Sequence, residues 1–410
     1  MNKAVMLAEV ADLIMGQSPP STTYNKSGEG LPFYQGKSDF GAMHPIPRVY
    51  CTAPTKIAEA GDILMSVRAP VGATNICEKQ SCIGRGIAAI RAKEVDRDFL
   101  YFYLKKIESY VDSLGSGAIF KAINKSQLAE LPINEAGIPL AEQKAIAYTL
   151  ATVQRAIEAQ ERIIQTTAEL KKALMQKLFS EGLRGEPQKE TEIGLVPESW
   201  EVVKLDEKAD SFQYGTSVKC GHDIEGKPVL RIPNVVGGHV DTSDLKFGKP
   251  KRNEIGKLAL EAGDLLFVRT NGVKENAGRC SIFHDELTDC YFASYLIRVR
   301  LDPAILNPGF LNIYSRTNVG TSFLSGKAIR TADGKFNINS GTLKSMLVPI
   351  PTIEEQEEIA RTLEIIDKRS NNAAFKKSSL QEIFRTLLHR LISAEIRVNE
   401  RELATGGSPR

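Results

Sequence analysis

The hexapeptide Glu59-Ala60-Gly61-Asp62-Ile63-Leu64 returns almost unchanged as Glu261-Ala262-Gly263-Asp264-Leu265-Leu266. Each copy is typical of a tight turn that leads into an apolar strand. Other short matches follow in the same order in both halves, and their offset drifts only from 196 (Pro32 to Pro228) to 213 (Glu142 to Glu355). Because a collinear series of this kind is hard to obtain by chance, the sequence predicts a duplicated architecture.

The repeated series extends well beyond the turn. Its further members are Pro32-Phe33-Tyr34 with Pro228-Val229-Leu230, Cys82 and Ile90-Arg91 with Cys290 and Ile297-Arg298, Phe99-Leu100 and Tyr103 with Phe310-Leu311 and Tyr314, Ser116-Gly117-Ala118-Ile119 with Ser325-Gly326-Lys327-Ala328-Ile329, and Glu142-Gln143 with Glu355-Gln356. Gly16-Gln17-Ser18 and Gly215-Thr216-Ser217 also share a short turn pattern. The remaining loops agree far less, so the repeat is mainly one of framework.

Each half ends in a long helical pattern. Proline is tolerated at a helix start and not inside a helix, so we expect helices to begin near Leu140, after Pro139, and near Ile353, after Pro351. Each pattern runs for about 40 residues, or about 60 Å at 1.5 Å per residue. Apolar residues on a 4-3 spacing predict a heptad seam in each helix, with a register shift in the first helix toward Leu170, Leu174 and Leu178. An amphipathic helix packed on its own domain is the alternative.

The predicted fold class is α+β, with two mixed α/β domains, two long helices and an internal pseudo-two-fold repeat. Antiparallel helices would place the domains at opposite ends, and parallel helices would place them side by side. The expected boundaries are a first domain at 1–137, a first helix at 138–182, an irregular linker at 183–200, a second domain at 201–349, a second helix at 350–396 and a flexible tail at 397–410.

Composition excludes several classes of protein. The formal net charge is +3, so a nucleic-acid partner requires a local basic surface or other subunits. The start of the chain does not resemble a signal peptide, and no apolar run is long enough to cross a membrane. Six cysteines without a CxxC pair and five histidines form no zinc spacing, which favours free buried thiols in a reducing cytoplasm and no metal site.

Two short patterns resemble catalytic or cofactor motifs. Gly84-Arg85-Gly86 is a lone GxG that is typical of strand or turn geometry, and no ATP-binding loop is present. Asn307-Pro308-Gly309-Phe310 looks like the Asn-Pro-Pro-Phe signature of adenine-N6 DNA methyltransferases. The repeat aligns it with Asp96-Arg97-Asp98-Phe99, which keeps only the phenylalanine. A turn at a helix start therefore explains it better, although a stand-alone methyltransferase remains an alternative.

Polar and basic residues recur at predicted loop positions of both halves. Arginine and lysine favour guanine and phosphate, whereas asparagine and glutamine favour adenine. These residues form a predicted DNA-binding group: Gln17, Ser18, Lys37, Arg68, Arg85 and Lys121 in the first half, and Gln213, Thr216, Lys219, Arg231, Asn234, Arg269, Asn271, Lys274 and Arg330 in the second. Taken singly, each is also explained as an ordinary surface residue.

Three further features point to a known family. They are Ile193-Gly194-Leu195-Val196-Pro197-Glu198-Ser199-Trp200 before the second domain, the Gly-Asp-Ile/Leu-Leu turn in each domain, and the helix starts Ile138-Pro139-Leu140-Ala141-Glu142-Gln143 and Ile350-Pro351-Thr352-Ile353-Glu354-Glu355-Gln356. With these features the chain resembles the specificity (S) subunits of type I restriction-modification systems. Thr167-Ala168-Glu169-Leu170 also resembles a four-residue unit whose copy number sets helix length in some relatives.

The resemblance implies two target recognition domains, separated by antiparallel helices, that bind the two halves of a split double-stranded DNA site. It implies no catalysis by this chain. Two modification subunits would dock on the helices and carry S-adenosylmethionine, and restriction subunits would supply ATP- and Mg²⁺-dependent cleavage. We expect Glu142, Gln143, Glu355 and Gln356 to mark the docking sites. Trp200 is expected to be a core anchor, and a coiled-coil scaffold without a DNA role is a further alternative.

Overall fold

The computed structural model describes residues 5–115, 121–135, 137–235 and 237–397. The chain forms two compact units, one of Met1–Ile163 with Ala373–Arg410 and one of Ile164–Asn372. Both boundaries fall inside long helices, so each unit contains one globular domain and half of each helix. The predicted tail from residue 398 onward and the repeat match at 116–119 lie outside the described residues.

The helices of the first unit are short except for the last. They are α1 (Leu7–Val10), α2 (Arg97–Lys106), α3 (Glu108–Leu114), α4 (Lys125–Ala129) and the N-terminal part of α5 (Leu140–Glu181). Its strands are β1 (Val5–Met6), β2 (Ala11–Met15), β3 (Tyr24–Asn25), β4 (Leu31–Tyr34), β5 (Tyr50–Cys51), β6 (Ile57–Ala58), β7 (Ile63–Ser66), β8 (Thr74–Ile76), β9 (Ser81–Ile83), β10 (Ile87–Ala92) and β11 (Pro132–Ile133).

The second unit has the corresponding elements. Its helices are α6 (Pro308–Tyr314), α7 (Asn318–Lys327), α8 (Ser340–Lys344) and the N-terminal part of α9 (Ile353–Ile392). Its strands are β12 (Gln188–Thr191), β13 (Gly194–Pro197), β14 (Glu201–Lys204), β15 (Ala209–Tyr214), β16 (Lys227–Leu230), β17 (Gly238–His239), β18 (Lys246–Gly248), β19 (Leu265–Val268), β20 (Thr270–Asn271), β21 (Cys280–Ile282), β22 (Tyr291–Phe292), β23 (Leu296–Leu301), β24 (Ile329–Arg330), β25 (Phe336–Asn337) and β26 (Leu347–Ile350).

The strand order confirms the duplication. The main sheet of the first unit has the order β2-β10-β7-β8, and that of the second has the order β15-β23-β19-β21-β17. In both, the long central strand pairs antiparallel with two neighbours. Beside each main sheet lies a parallel pair, β4 with β9 and β16 with β22. The order β2-β10-β7-β8 therefore matches β15-β23-β19-β21, and the second sheet adds β17 at its edge.

The repeated hexapeptide forms the same turn in both domains. The buried Asp62 carboxylate accepts the Glu59 N–H at 2.8 Å and is held by two Arg91 hydrogen bonds of 2.8 Å. Gly61 occupies the left-handed region at φ 92°, a conformation that glycine adopts without strain. Because the carboxylate is buried and accepts charge-assisted bonds, the turn is fixed to the central strand.

Strand register corrects two of the predicted matches. The second turn carries Asp264, which is bound by two Arg300 hydrogen bonds of 2.7 Å, so Arg300 and not Arg298 is the counterpart of Arg91. Likewise, Cys82 pairs with Phe33 as Tyr291 pairs with Val229, so Tyr291 and not Cys290 is the counterpart of Cys82. Short apolar strands of similar composition can be aligned one or two residues out of register, and only the pairing fixes them.

The long helices begin at Leu140 and Ile353, as predicted, and contain 42 and 40 residues. Within the first unit, α5 runs away from the domain and α9 runs back toward it, so the two helix segments are antiparallel there. Within the first unit, Ile146, Leu150 and Ile157 share an apolar cluster with Phe384 and Leu391. The helix ends therefore pack on their own domains as well as on each other, which combines the two alternatives weighed from the sequence.

The centre of the helix pair is polar. Lys377 forms an ion pair with Glu161 in the first unit, and Lys171 forms one with Asp367 in the second. Thr167 is buried, whereas Leu170 is exposed, so the predicted register shift toward Leu170 is wrong. The 4-3 spacing instead continues through Thr167 and Lys171. A lysine is tolerated at this position of the helix seam because its charge is neutralised by the ion pair with Asp367.

The linker between the domains is more regular than expected. Strands β12 and β13 form an antiparallel hairpin in which Gln188 pairs with Pro197 and Thr191 pairs with Gly194. Gly194 has a φ of 98°, and the Thr191 hydroxyl donates to its carbonyl at 2.7 Å. The predicted irregular path is thus replaced by a hairpin whose tight turn uses this glycine.

The turn carboxylates allow a test of stability. Asp264→Asn should lower the free energy of unfolding of the second unit by about 1–3 kcal/mol, because it removes charge from a buried acceptor of several hydrogen bonds. Asp206→Asn is the matched control, since its ion pair with Lys344 is half exposed and should contribute less than about 1 kcal/mol. Urea unfolding followed by circular dichroism measures both, and equal losses would show that the turn is not fixed by Asp264.

Candidate nucleic-acid interface

In each domain, three strand ends meet at one edge of the main sheet. Strands β2 and β7 end where β10 begins, because neighbouring antiparallel strands run in opposite directions. Strands β15 and β19 likewise end where β23 begins. We call these the loop edges, formed by residues 16–18, 67–70, 84–86 and 121–122 of the first domain and 214–216, 269–271, 293–295 and 336–337 of the second. The Asp62–Arg91 and Asp264–Arg300 pairs lie at the opposite ends of the strands.

The loop edge of the first domain gathers several of the predicted DNA-binding residues. The Ser18 hydroxyl accepts the Arg85 N–H at 3.2 Å. The Val67 N–H donates to the Gly86 carbonyl at 2.9 Å, and the next residue, Arg68, forms a bridge with Ala122. The Ala69 N–H donates to the Lys121 carbonyl at 3.0 Å. These backbone contacts bring Gln17, Ser18, Arg68, Arg85 and Lys121 to one edge.

Glycine is required where the edge strands cross. A Cβ on Gly16 would lie 2.2 Å from the Gly84 carbonyl oxygen, and a Cβ on Gly215 would lie 2.2 Å from the Phe292 carbonyl oxygen. The Gln17 N–H donates to Ile83, and the Thr216 N–H donates to Phe292. The turn predicted to be common to both halves is therefore confirmed, and close backbone approach explains its glycine.

Lys121 at the first loop edge and Lys37, which lies outside it, are both partly neutralised. Lys37 pairs with Glu108 at 3.3 Å, and Lys121 pairs with Asp112 at 3.0 Å. The Lys121 ammonium holds the pKa of the Asp112 carboxyl below its usual range. Exposed pairs of this kind contribute about 0–1 kcal/mol, so a phosphate could displace them at small cost. Arg68 and Arg85 are exposed and have no side-chain hydrogen bond or ion pair within the described part of the chain.

The second loop edge has a different composition. The Arg269 N–H donates to the Tyr295 carbonyl at 2.8 Å, and its guanidinium donates to the Ser294 carbonyl at 3.3 Å. The same guanidinium lies over the Tyr214 ring, 4.9 Å from its centroid. Asn271 and Arg330 both pair with Phe336 in a small three-stranded sheet. Arg269, Asn271 and Arg330 thus lie in neighbouring elements at one edge.

Two of the predicted DNA contacts are wrong because the side chains are buried. Thr216 is 1% exposed, and its hydroxyl donates to Glu254 at 2.9 Å. Asn234 is also 1% exposed; its Oδ1 accepts the Arg231 N–H, and its amide nitrogen donates to the Asp241 carbonyl. These residues shape loops and cannot reach a base.

The remaining predicted residues lie away from the shared edge contacts. The Arg231 guanidinium donates to the Asp244 carboxylate at 2.9 Å and is mostly covered, which assigns it a structural role. Gln213 lies within β15, one residue before its end. Lys219 and Lys274 are exposed in neighbouring loops. The sequence identified Lys219 and Lys274 as cations in loops, but it could not show which loops lie next to each other in the fold.

The residues predicted to mark docking sites mainly form hydrogen bonds inside their own domains. Gln143, 2% exposed, accepts the Asp96 N–H and donates to the Ile138 carbonyl, both at 2.8 Å. Gln356, 1% exposed, accepts the Asn307 N–H at 2.8 Å. Each glutamine thus ties the start of its long helix to the start of a domain helix. Because their amides are used within the domain, they cannot form a docking surface.

Glu355 and Trp200 form a further internal contact. The buried Glu355 carboxylate accepts the Trp200 indole N–H at 3.3 Å and the Leu183 N–H at 2.9 Å. Trp200 is fully buried, 6.3 Å from the Phe310 ring, which confirms it as a core anchor. Of the four predicted docking residues, only Glu142 is partly exposed.

The methyltransferase-like tetrapeptide is a helix start. The Asn307 side chain accepts the Phe310 N–H at 3.0 Å, just as Asp96 accepts the Phe99 N–H at 3.0 Å. Phe310 and Phe99 are both fully buried, so neither ring can stack on an extruded base. The interpretation as a turn at a helix start is confirmed.

Sequence reasoning missed two tyrosines at the second loop edge. Tyr214 ends β15 and is partly exposed, and Tyr295 precedes β23 and is 56% exposed. The signal was a tyrosine in the short polar stretch Ala293-Ser294-Tyr295, between two apolar strands.

Among the described residues there is no group of three or more His, Cys, Asp or Glu side chains that could hold a metal ion. The described helices also include none that could span a bilayer.

Comparison with known proteins identifies relatives over both halves. A putative type I restriction enzyme MjaX specificity subunit from Methanocaldococcus jannaschii is 45% identical over 174 residues, which cover 42% of this chain and 40% of that protein. The type I restriction enzyme EcoKI specificity subunit from Escherichia coli is 28% identical over 308 residues, which cover 72% of this chain and 65% of that protein. These alignments thus span less than two thirds of either relative.

A solved structure has the same fold. The type I restriction-modification S subunit from M. genitalium superposes with a TM-score of 0.65 over 95% of both chains, at 17% identity. The family model of the type I restriction modification DNA specificity domain matches the chain twice, at residues 2–167 and 197–383. These two ranges contain both loop edges and most of both long helices. The chain therefore belongs to the family of type I restriction-modification DNA specificity proteins.

Proposed function

We propose that this chain is the DNA-recognition subunit of a type I restriction-modification complex and binds a bipartite, asymmetric DNA site. One observation carries the proposal: a duplicated domain presents the same edge twice, with different side chains. The first edge presents Gln17, Arg68 and Arg85, and the second presents Asn271, Arg330 and two tyrosines. One framework with two reading surfaces is what a site with two unlike halves requires.

The chemistry of the edges suits double-stranded DNA. Arginine binds guanine through two hydrogen bonds in the major groove, and asparagine binds adenine in the same way. The exposed Arg330 lies on β24, the edge strand of the small sheet β20-β25-β24, where a base edge in the major groove could reach it. Since the net charge of the chain is only +3, much of the phosphate binding would come from partner subunits.

The partners would be two modification subunits and the restriction subunits of the complex. We infer that S-adenosylmethionine, ATP and Mg²⁺ bind to those partners and that this chain is a non-catalytic recognition subunit of the cytoplasm. Burial of Phe310 supports this division, because the one methyltransferase-like tetrapeptide has no ring available for a base. The docking surface would lie on the exposed faces of α5 and α9, since the glutamines at their starts are used internally.

The long helices would set the distance between the two halves of the DNA site. Four inserted residues add about 6 Å of helix, or one to two base pairs at about 3.4 Å each. Duplicating Thr167-Ala168-Glu169-Leu170 should therefore lengthen the unspecific spacer by about one to two base pairs and leave both half-sites unchanged. Methylome sequencing of a host that expresses the complex measures the spacer and the half-sites together.

The control for the insertion keeps the helix length and changes the same segment. Thr166→Ala with Glu169→Ala alters exposed positions and should leave the spacer as it is in the parent complex. Half-sites that change at a constant spacer after the insertion would disprove the role of α5 in spacing.

Single arginines should affect only one half of the site. Arg85→Ala should relax the half-site read by the first domain, and Arg330→Ala the half-site read by the second, each by about 1–3 kcal/mol for a lost base contact. Arg97→Ala is the control, because this exposed arginine starts α2 at the other end of the sheet. Competition binding of the complex to oligonucleotides measures the change, and a uniform loss for all sequences would indicate phosphate contacts instead.

If recognition and catalysis lie on different subunits, S-adenosylmethionine should bind to the modification subunits and not to this chain. The purified chain should show no binding of S-adenosylmethionine in isothermal titration calorimetry, whereas the complex with its modification subunits should bind it. Binding by the isolated chain would favour the stand-alone methyltransferase. Absence of salt-dependent DNA binding by the complex would favour a coiled-coil scaffold.

A further inference from the structure

Tyr295 lies at the second loop edge, at a position where the first domain has a glycine, Gly86. The Arg269 N–H donates to the Tyr295 carbonyl as the Val67 N–H donates to the Gly86 carbonyl, so Tyr295 corresponds to Gly86. A Cβ on Gly86 would lie 2.1 Å from the Gln35 carbonyl oxygen. The first domain therefore excludes any side chain here, whereas the second presents a tyrosine that is 56% exposed.

The turn that carries Tyr295 is fixed on both sides. The Ser294 N–H donates to the Thr216 carbonyl at 2.8 Å, and the Leu296 N–H donates to the Ala293 carbonyl at 2.9 Å. The Arg269 guanidinium binds the Ser294 carbonyl and stacks on Tyr214. A tyrosine on a rigid turn loses little conformational entropy on binding, because it has only two side-chain torsions.

The surroundings of Tyr295 match a nucleic-acid partner. Lys335 lies in the β24–β25 turn, directly before β25, where it forms an ion pair with Asp333 at 3.0 Å. Asn271 and the exposed Arg330 share the small sheet beside it. An exposed tyrosine ring can contact an apolar base edge such as the thymine methyl group, and its hydroxyl can bond to a base.

We propose that Tyr295 is a specificity-determining residue for the half-site read by the second domain and contacts a base edge there. This inference rests on the proposed DNA-recognition function. Arg269 is a positioning residue: its guanidinium is engaged with Ser294 and Tyr214, so it holds the Tyr295 turn and does not read a base itself. The first domain has no equivalent contact, because Gly86 leaves no room for one.

Site-directed variants of the full complex test the proposal. The complex with its modification subunits is assayed for methylation of oligonucleotides in which each base of both half-sites is varied in turn. Tyr295→Ala should reduce discrimination about 10- to 100-fold at one or two positions of the second half-site, as expected for a lost base contact. The first half-site and the spacer should be unchanged. Tyr295→Phe separates the ring from the hydroxyl, and loss or retention of discrimination assigns the contact to one of them.

Matched variants separate a base contact from a structural effect. Ile305→Ala removes an exposed side chain beyond the opposite end of β23 and should leave both half-sites unchanged. Arg269→Ala should relax the same positions as Tyr295→Ala, and the double variant should be no worse than the single ones, because both act through one contact. Additive losses at different positions would show that Arg269 reads its own base.

Two outcomes overturn the inference, and they are distinguishable. If Tyr295→Ala folds normally by circular dichroism and methylates the parent sequence with unchanged discrimination, Tyr295 is not a specificity determinant and the proposed function stands. If the parent complex itself methylates no defined bipartite sequence, the proposed function fails, and the role of Tyr295 fails with it.

Discussion

The ion pair between the turn aspartate and the central strand is the constraint on which each domain depends. Asp62 binds Arg91, and Asp264 binds Arg300, in each case across two neighbouring strands. Leaving a buried carboxylate without its arginine partner costs folding free energy, so the pair specifies one register between the two strands. Register in turn decides where strands end, because a shift of one residue would turn every side chain to the other face. The loop edges lie at the far ends of the same strands, so these ion pairs also determine where the loop edges lie.

A second contact, equally conserved between the halves, fastens each domain to its helix. Gln143 and Gln356 use both ends of their amides, one on the start of a domain helix and one on the carbonyl before the long helix. A buried amide with its hydrogen bonds satisfied fixes orientation more closely than apolar contact alone. The helix start is therefore fixed with respect to its own domain, as the proposed role of the helices in spacing requires.

The two loop edges combine one backbone framework with two different sets of side chains. Their backbones agree to the level of single hydrogen bonds, since Gly16 corresponds to Gly215 and Gly86 to Tyr295. Their side chains do not agree: the first edge is rich in exposed arginine, and the second places Arg269 on Tyr214 and exposes a tyrosine. Thr216 and Asn234 are both buried and shape the backbone of their loops.

The sequence by itself determined the duplication, the starts of both long helices, the family resemblance and the nature of the Asn307 turn. These depend on local chemistry, namely proline at helix starts, glycine in turns and a repeat in fixed order. Only the tertiary structure decided the pairing of Arg300 with Asp264, the continuous helix seam through Thr167, and the burial of three of the four predicted docking residues. It also decided which loops meet, because strand ends that are distant in sequence become neighbours only through register. Burial and register are properties of the whole chain, and spacing in a single sequence does not encode them locally.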